Sequence, residues 1–499
     1  MPGRAKERRI QKNGNIFRVL LTLMLAGILL TVFSGVGLAV SNDEIMQELL
    51  KLKQRVQVVE SKLSITEDKL NVTENRLSET KTELVNTKKE LVKAQHAQID
   101  AQTSAKKPDH IKFSKITGTP KIVSRDGRSS LAIGGRVFLD VASLPGQYSK
   151  GGEDKYQSSG TESEFRKIYF DVGGTFWRDW EYDLSLNFAE NEVDLKKAIL
   201  TYGGWNKNKF SFGFQKPAFG LENTQSSKYS QFMERSLTDT FSPDRDLGFS
   251  WRHTEEWGAI KVGVFVPNSI DGNDDGDNYL EDYTYIGRLT VAPIESSNQL
   301  LHLGLSAAYS DYDGQNYVDF DTRPESHLSK KIVSTKEIVD PEHTFRYGAE
   351  AAYSTHGFLF EGEYVNVDTK GYYDGAEDDD TYRYNAWYIS ASYMLTGEAH
   401  PYNKKKGTFR SVLPDHPLSK GGLGAWELAL RYSSIDLNDN GENGGEMDDI
   451  TFGLNWYLEN NIRLMVNYIH YDADSYKDSS KYIEDQDDNI FQTRLQWFF

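Results

Sequence analysis

The sequence lacks several features that would place it in common protein classes. Its 499 residues include no cysteine and 13 prolines, and the mean hydropathy is −0.59. The absence of cysteine excludes disulfide bonds and thiolate metal sites. The low hydropathy excludes a bundle of transmembrane helices, because such a bundle needs several long apolar runs. The formal net charge of −17 gives no basic excess, so nucleic acid is not an expected partner.

Aromatic residues and glycine are abundant instead. The chain has 28 tyrosines, 25 phenylalanines and 41 glycines. A transmembrane β-barrel combines low hydropathy with many aromatic residues, because only alternate residues of its strands face lipid. The last nine residues follow this pattern, and the alternative is the last strand of a soluble sheet. Their apolar side chains Phe491, Leu495, Trp497 and Phe499 fall on one face of a strand, and Gln492, Arg494 and Gln496 fall on the other.

The N terminus has the pattern of a secretory signal. Six basic residues precede an apolar run at 19–40, and Gly37-Leu38-Ala39 supplies the small residues of a signal-peptidase site. We therefore expect a signal peptide at 1–39 that is cleaved after about Ala39. The alternative is an uncleaved inner-membrane anchor, because the run approaches the length that spans a bilayer.

A seven-residue repeat follows without interruption from 45 to 94. It predicts a coiled coil at 40–95, placed in the periplasm, with a polar linker at 96–125 that contains Pro108 and Pro120. A single surface helix is the alternative. The threonines of the seam indicate an oligomer larger than a dimer. One core position is occupied by Leu49, Val56, Leu63, Leu70, Leu77, Leu84 and Leu91, and the other by Ile45, Leu52, Val59, Thr66, Thr73, Thr80, Thr87 and Ala94.

The period of the pattern changes to two in the rest of the chain. In one segment Trp180, Tyr182 and Leu184 alternate with Glu181 and Asp183. Sixteen such segments between 126 and 499 predict an all-β fold, a 16-stranded antiparallel transmembrane barrel with both termini in the periplasm. A barrel of this width encloses an aqueous channel. We expect the long third extracellular loop, 217–245, to fold inward and narrow it.

Several strings of residues resemble the phosphate-selective porin O/P family of outer-membrane channels. The similarity extends over roughly 130–499, and the coiled coil lies outside it. The strings are Gly213-Phe214-Gln215-Lys216-Pro217-Ala218-Phe219-Gly220-Leu221-Glu222, Phe232-Met233-Glu234-Arg235-Ser236-Leu237, Asp244-Arg245-Asp246-Leu247-Gly248, Leu395-Thr396-Gly397-Glu398, Ala425-Trp426-Glu427-Leu428-Ala429 and Asn455-Trp456-Tyr457.

The resemblance implies a trimer of barrels, each with its own pore for small anions such as phosphate. In phosphate-selecting members of the family, inward arginines and basic residues at the constriction bind the anion. Phe165-Arg166-Lys167 is similar to an arginine pair on the second strand of those members. Lysine replaces the second arginine here, and lysine presents a point charge rather than a two-pronged donor.

Basic side chains are the candidate site residues of the pore. Strand parity gives the wall ten cations and eight anions, so wall charge alone does not predict strong selectivity. A basic segment in the long periplasmic connection 396–423 adds three lysines, and we hypothesise that it forms the filter together with the third loop. The candidates are Arg136, Arg166, Lys167, Lys197, Lys216, Lys228, Arg235, Arg245, Arg252, Lys404, Lys405 and Lys406.

The acidic segments 271–277, 374–380, 436–449 and 484–488 are expected in extracellular loops. They would bind divalent ions that bridge lipopolysaccharide, or keep the rim soluble. No metal site, cofactor or enzymatic motif is predicted. The leading function is passive diffusion of small hydrophilic solutes, with anions favoured. The alternative is a structural anchor that joins the outer membrane to peptidoglycan through the coiled coil.

Overall fold

The computed structural model describes residues 42–104, 110–114, 119–144, 160–266, 281–296, 298–312, 317–335, 337–373, 380–440, 442–476 and 483–499. The predicted signal peptide 1–39 and the acidic segment 271–277 lie outside the described residues. The chain divides into two compact units, 1–99 and 100–499, and each is described by itself.

A long helix, α1, occupies Asn42–Ser104. It contains no proline or glycine, and the hydroxyls of Thr66 and Thr73 donate to the carbonyls four residues earlier. The heptad leucines Leu70 and Leu84 are 60% and 66% exposed in the single chain, and the coiled coil stays a prediction. The helix continues past the predicted start of the linker at 96, because Pro108 is the first helix breaker. Within the described residues, no helix has both the length and the apolar character needed to cross a membrane.

The second unit is a barrel of sixteen antiparallel strands, as the sequence predicted. Pairing of the last strand with the first closes the sheet. The strands, labelled β1 to β16, are Ser130–Leu144, Gly160–Phe176, Trp180–Asn187, Asp194–Tyr202, Asn208–Gln215, Asp246–Thr254, Gly258–Val266, Glu281–Glu295, Gln299–Tyr312, Ile338–Thr355, Phe358–Tyr373, Asp380–Met394, Ala425–Asp439, Glu442–Glu459, Ile462–Tyr476 and Ile483–Phe498.

The C-terminal strand shows how the two faces separate. Phe491 and Leu495 are 50% and 38% exposed, whereas Gln492 and Arg494 are buried in the lumen. The terminal Phe499 closes the barrel, since its backbone exchanges hydrogen bonds with Gly135 of β1. Outward apolar and inward polar residues are the arrangement that a barrel in lipid requires.

Many strands extend further at the predicted extracellular end than the sequence indicated. Most of the acidic segment 436–449, expected to be a loop, lies instead in β13 and β14, and β16 begins at Ile483 and therefore includes the acidic segment 484–488. Backbone pairing between strands continues beyond the hydrocarbon layer of the membrane, where outward residues need not be apolar. Asp472, for example, pairs with Asp448 and Asp487. Charged outward residues therefore concealed strands that the hydrophobic pattern could not indicate.

A short hairpin precedes the barrel inside the predicted linker. Its strands, His110–Phe113 and Pro120–Val123, pair with each other, and the second strand pairs with the start of β1. Proline is tolerated at Pro120 because it is the first residue of its strand. The linker is therefore partly ordered as an extension of the barrel sheet.

Among the connections that the structure describes, three long ones enter the barrel interior. Loop L3 (216–245) joins β5 to β6, loop L5 (313–337) joins β9 to β10, and turn T6 (395–424) joins β12 to β13. The wall donates hydrogen bonds to the L3 carbonyls of Ser230 and Gln231, and Glu325 of L5 accepts one from Thr451 of β14. The Phe409 amide of T6 donates to Gln225 of L3 at 2.9 Å. The lumen is thus narrowed from both ends.

Candidate functional site

A β-bulge in β2 turns two adjacent basic side chains into the lumen. Phe138 pairs with Lys167 and Leu139 pairs with Phe165, so Arg166 is the extra residue between the two pairs. A bulge lets both residues face the same side of the sheet. Strict alternation along β2 would place only one of these two neighbours inside, and the inward position of both Arg166 and Lys167 corrects that expectation. The Arg166 guanidinium lies 3.0 Å from the carboxylate of Glu234 in L3.

One buried arginine of β13 contacts both inward loops. Arg431 is 1% exposed and lies 2.8 Å from the carboxylate of Glu222 in L3. It also pairs with Glu325 of L5, whose oxygen lies 3.0 Å from its Nε. The ring of Phe232 in L3 packs 4.2 Å from the guanidinium carbon. Arg431 therefore holds L3 and L5 against the same place on the wall.

A second arginine, Arg494 of β16, fastens the middle of L3. Its Nη2 lies 2.6 Å from Asp140 of β1 and 2.6 Å from Glu234 of L3. It also donates to the carbonyl of Met233. Both guanidinium groups are paired with carboxylates of L3, L5 and β1, so neither Arg431 nor Arg494 offers free positive charge to a solute.

The opposite side of the lumen stays open. A cavity of about 320 Å³ lies between the start of L3, strands β3–β8 and T6. Eight basic side chains line it, against two acidic ones, Glu181 and Asp183. The basic residues are Lys197, Lys209, Lys216, Arg252, Lys261, Arg288, Lys405 and Lys406.

Three of these cations have acidic partners. Lys209 lies 2.5 Å from Glu181, and Lys197 lies 3.3 Å from Asp183. Arg288 pairs with Glu350 at 2.5 Å. Within the described parts of the chain, the other five have no carboxylate within 4.0 Å. They are Lys216, Arg252, Lys261, Lys405 and Lys406.

Buried contacts hold the two T6 lysines in this cavity. Arg288 donates to the backbone carbonyls of Lys406 and Gly407 at 2.9 and 2.8 Å. Its partner Glu350 lies 2.8 Å from Nε2 of His302, whose Nδ1 lies 2.6 Å from the Tyr402 hydroxyl. The turn itself needs glycine at 407, because φ is +61° there and a Cβ would lie 2.7 Å from a methyl group of β8.

Comparison with known proteins identifies the family. The family described as Phosphate-selective porin O and P matches residues 131–499. The chain belongs to this family. It is an outer-membrane porin, and the resemblance drawn from the sequence is confirmed.

The sequence identity between this chain and individual relatives is low. Porin O of Pseudomonas aeruginosa is 26% identical over 430 residues, which cover 77% of this chain and 92% of the relative. An uncharacterised protein of Caulobacter vibrioides is 29% identical over 370 residues, 70% of each chain. Among solved structures, the channel DcaP of Acinetobacter baumannii has a TM-score of 0.49 at 10% identity, covering 78% of this chain and 99% of that one.

The porin distributes the twelve predicted site residues over two environments. Five of them line the cavity: Lys197, Lys216, Arg252, Lys405 and Lys406. The other seven make contacts elsewhere. Arg136 pairs with Asp171, Arg166 with Glu234, Arg235 with Asp239 and Lys404 with Glu295; Arg245 donates to the carbonyl of Lys196, and Lys167 and Lys228 pack on the rings of Phe138 and Phe498.

Sequence reasoning missed two features of this porin. Lys209, Lys261 and Arg288 line the cavity but were not among the candidates. The alternation of Lys209 with Phe210 and Phe212 places it on the lumen face. The inward fold of L5 was not predicted either. The sequence signal that could have indicated this fold is the presence of apolar residues in a connection expected outside the membrane. Two of them, Phe320 and Val333, are buried in the lumen core.

The ammonium group of Lys228 in L3 supports a test of pH dependence. Burial together with the nearby charges of Arg136 and Lys197 lowers the pKa of Lys228 to about 8, and Asp171 acts in the opposite direction. The group is therefore charged near neutral pH and loses its charge as the pH rises past about 8. We expect anion preference to fall over that range in bilayer recordings.

Substitution by arginine is the informative variant, because arginine stays protonated. Lys228→Arg should reduce the pH response. Lys207→Arg, at a lysine paired with Glu255, should leave it unchanged. An equal pH response in Lys228→Arg and in the unmodified porin would contradict the assignment.

Proposed function

We propose that this porin is a passive channel that favours small anions, including phosphate. The observation that supports the proposal is the excess of unpaired cations in the lumen cavity. Lys216, Arg252 and Lys261 approach it from the wall and L3, and Lys405 and Lys406 approach it from T6. An enclosed cleft lined by one sign of charge concentrates counter-ions.

The predominance of lysine among these cations favours the transit of an anion over its tight binding. Four of the five unpaired groups are lysines, whose flexible ammonium groups present point charges and not a fixed two-pronged fork. Conduction requires sites that attract the ion yet release it to the next site. Several lysines in one cavity supply such alternatives, so an anion is exchanged between neighbours during transit.

The proposal is tested by single-channel recording in a chloride gradient. We expect a reversal potential displaced toward that of chloride, and a chloride current that phosphate reduces in a concentration-dependent manner. Sulfate serves as the control for divalent charge alone. A reversal potential near zero, or one displaced toward the cation, would contradict anion selectivity.

The quaternary structure and surface partners are part of the same proposal. A homotrimer is supported by family membership and by the exposed heptad leucines of α1, which need partner helices. Lipopolysaccharide is the proposed outer-leaflet partner, because Asp448 and Asp472 form a cross-strand acidic pair on the outward face. Divalent ions would bridge such carboxylates to lipid phosphates.

Helix α1 favours a second function, a tether between the outer membrane and peptidoglycan. Its 63 residues give a length of roughly 95 Å at the α-helical rise. Deletion of residues 41–107 behind a retained signal should leave conductance unchanged and loosen envelope attachment, measured as vesicle release. Unchanged vesicle release would contradict the tether, and lost conductance in a folded barrel would contradict the independence of the pore.

A further inference from the structure

Three separate segments bring two carboxylates and an imidazole together in the lumen. Glu164 lies on β2, Glu190 lies in the connection between β3 and β4, and His327 lies in L5. Nδ1 of His327 is 2.8 and 2.9 Å from the two carboxylate oxygens of Glu164. Its Nε2 is 3.9 Å from Oε1 of Glu190 and, within the described residues, has no hydrogen-bond partner.

The contact with Glu164 sets the chemistry of the other ring nitrogen. The Nδ1–H group of the neutral imidazole donates its hydrogen bond to this carboxylate, and the lone pair of the ring is then on Nε2. A carboxylate behind a histidine is the arrangement that orients imidazole ligands in metal sites and raises their basicity. The free nitrogen of His327 is accordingly directed toward the carboxylate of Glu190.

The remaining gap has the size of a bridging ion. A separation of 3.9 Å is too long for a hydrogen bond. With bonds of about 2.0–2.2 Å, a tetrahedral zinc ion separates two ligand atoms by about 3.3–3.6 Å, so a shift of a few tenths of an ångström would bring both atoms onto the ion. Glu190 is 59% exposed, so its side chain is free to adjust. The three ligand atoms lie within 4.8 Å of one another.

We propose that His327 and Glu190 bind a divalent transition-metal ion of the zinc class, with Glu164 orienting the imidazole and water completing the shell. The imidazole favours zinc over magnesium or calcium, which prefer oxygen ligands. A bound ion would fasten L5 to the β3–β4 connection and to β2. The sequence predicted no metal site because its members are far apart in the chain and form no spacing motif.

Nearby arginines lower the expected affinity of the site for zinc. Arg166 lies near Glu164 but is neutralised by Glu234, and Arg323 donates to the carbonyl of His327 at 2.5 Å. A positive group so close to the site opposes a cation. We therefore expect weaker binding than at a four-ligand structural zinc site.

Zinc binding to the detergent-solubilised full-length porin tests the proposal. Titration calorimetry is performed in millimolar magnesium, which saturates sites made of carboxylates alone. We expect one zinc ion per chain that magnesium does not displace. His327→Asn and Glu190→Gln should each lower the affinity at least tenfold, and Glu164→Gln should lower it by roughly 10–100-fold, as losses of orienting carboxylates do.

The controls separate a metal site from loss of structure. Asparagine at 327 keeps an N–H that can donate to Glu164. The folded state of each variant barrel is verified by its heat-dependent electrophoretic mobility. His343→Asn, at a histidine stacked on Tyr309, should bind zinc as the unmodified porin does. Zinc affinity unaffected by His327→Asn, or zinc fully displaced by magnesium, would overturn the proposal.

Discussion

Arg431→Met should raise single-channel conductance several-fold and admit larger uncharged solutes. The substitution leaves Glu222 and Glu325 without the cation that both share. Removal of one partner of a buried ion pair destabilises the folded arrangement by about 3–5 kcal/mol. L3 and L5 should therefore leave the wall rather than keep unpaired carboxylates buried, and the lumen widens. Conductance steps and the liposome-swelling rate with sugars of increasing size measure the change.

Two further variants test whether the wider pore of Arg431→Met results from the unpaired carboxylates and from the contact of Arg431 with both loops. Arg431→Met combined with Glu222→Gln and Glu325→Gln removes all the charges together, and it should restore most of the narrow conductance. Arg463→Met removes a buried arginine of β15 that contacts L3 through the carbonyl of Ser230. Its effect should be smaller. A narrow, unchanged pore in Arg431→Met would refute the shared anchoring of the two loops.

Replacement of Lys405 and Lys406 should remove most of the anion preference. The two side chains are exposed to the lumen and supply two of the five unpaired cations. Lys405→Gln with Lys406→Gln should lower the chloride-to-potassium permeability ratio several-fold. Lys405→Glu with Lys406→Glu should bring it close to one, because two negative charges then offset most of the three remaining positive ones.

The neighbouring lysine supplies the matched control. Lys404 belongs to the same basic segment, but its ammonium pairs with Glu295 and does not line the cavity. Lys404→Gln should leave the reversal potential nearly unchanged. Equal effects of Lys404→Gln and of the Lys405→Gln, Lys406→Gln pair would show that selectivity comes from the general charge of the segment.

The barrel was predictable because its signal repeats along every strand. Alternation such as that of Phe491, Gln492 and Leu495 is imposed by lipid on one side and water on the other, so it is visible without tertiary information. Two of the candidates on the wall, Lys197 and Arg252, do line the cavity. Strict alternation fails at Arg166, because a bulge inserts a residue and shifts the count.

The distribution of charge was not predictable. Parity counted ten cations and eight anions on the wall and gave near balance. The folded chain assigns Arg431 and Arg494 to carboxylates of L3, L5 and β1, and Arg288 to Glu350. The acids are concentrated where the loops attach, and the unpaired cations remain where the lumen is open.

The sequence by itself determined that this chain forms a wide barrel in lipid, with a long inward loop and a helix before it, because periodicity is a local property. Only the tertiary structure decided which charges face a passing solute. Pairing of a wall arginine with a loop carboxylate joins residues hundreds of positions apart, as Arg494 and Glu234 show. No pattern along the chain records whether such a pair forms.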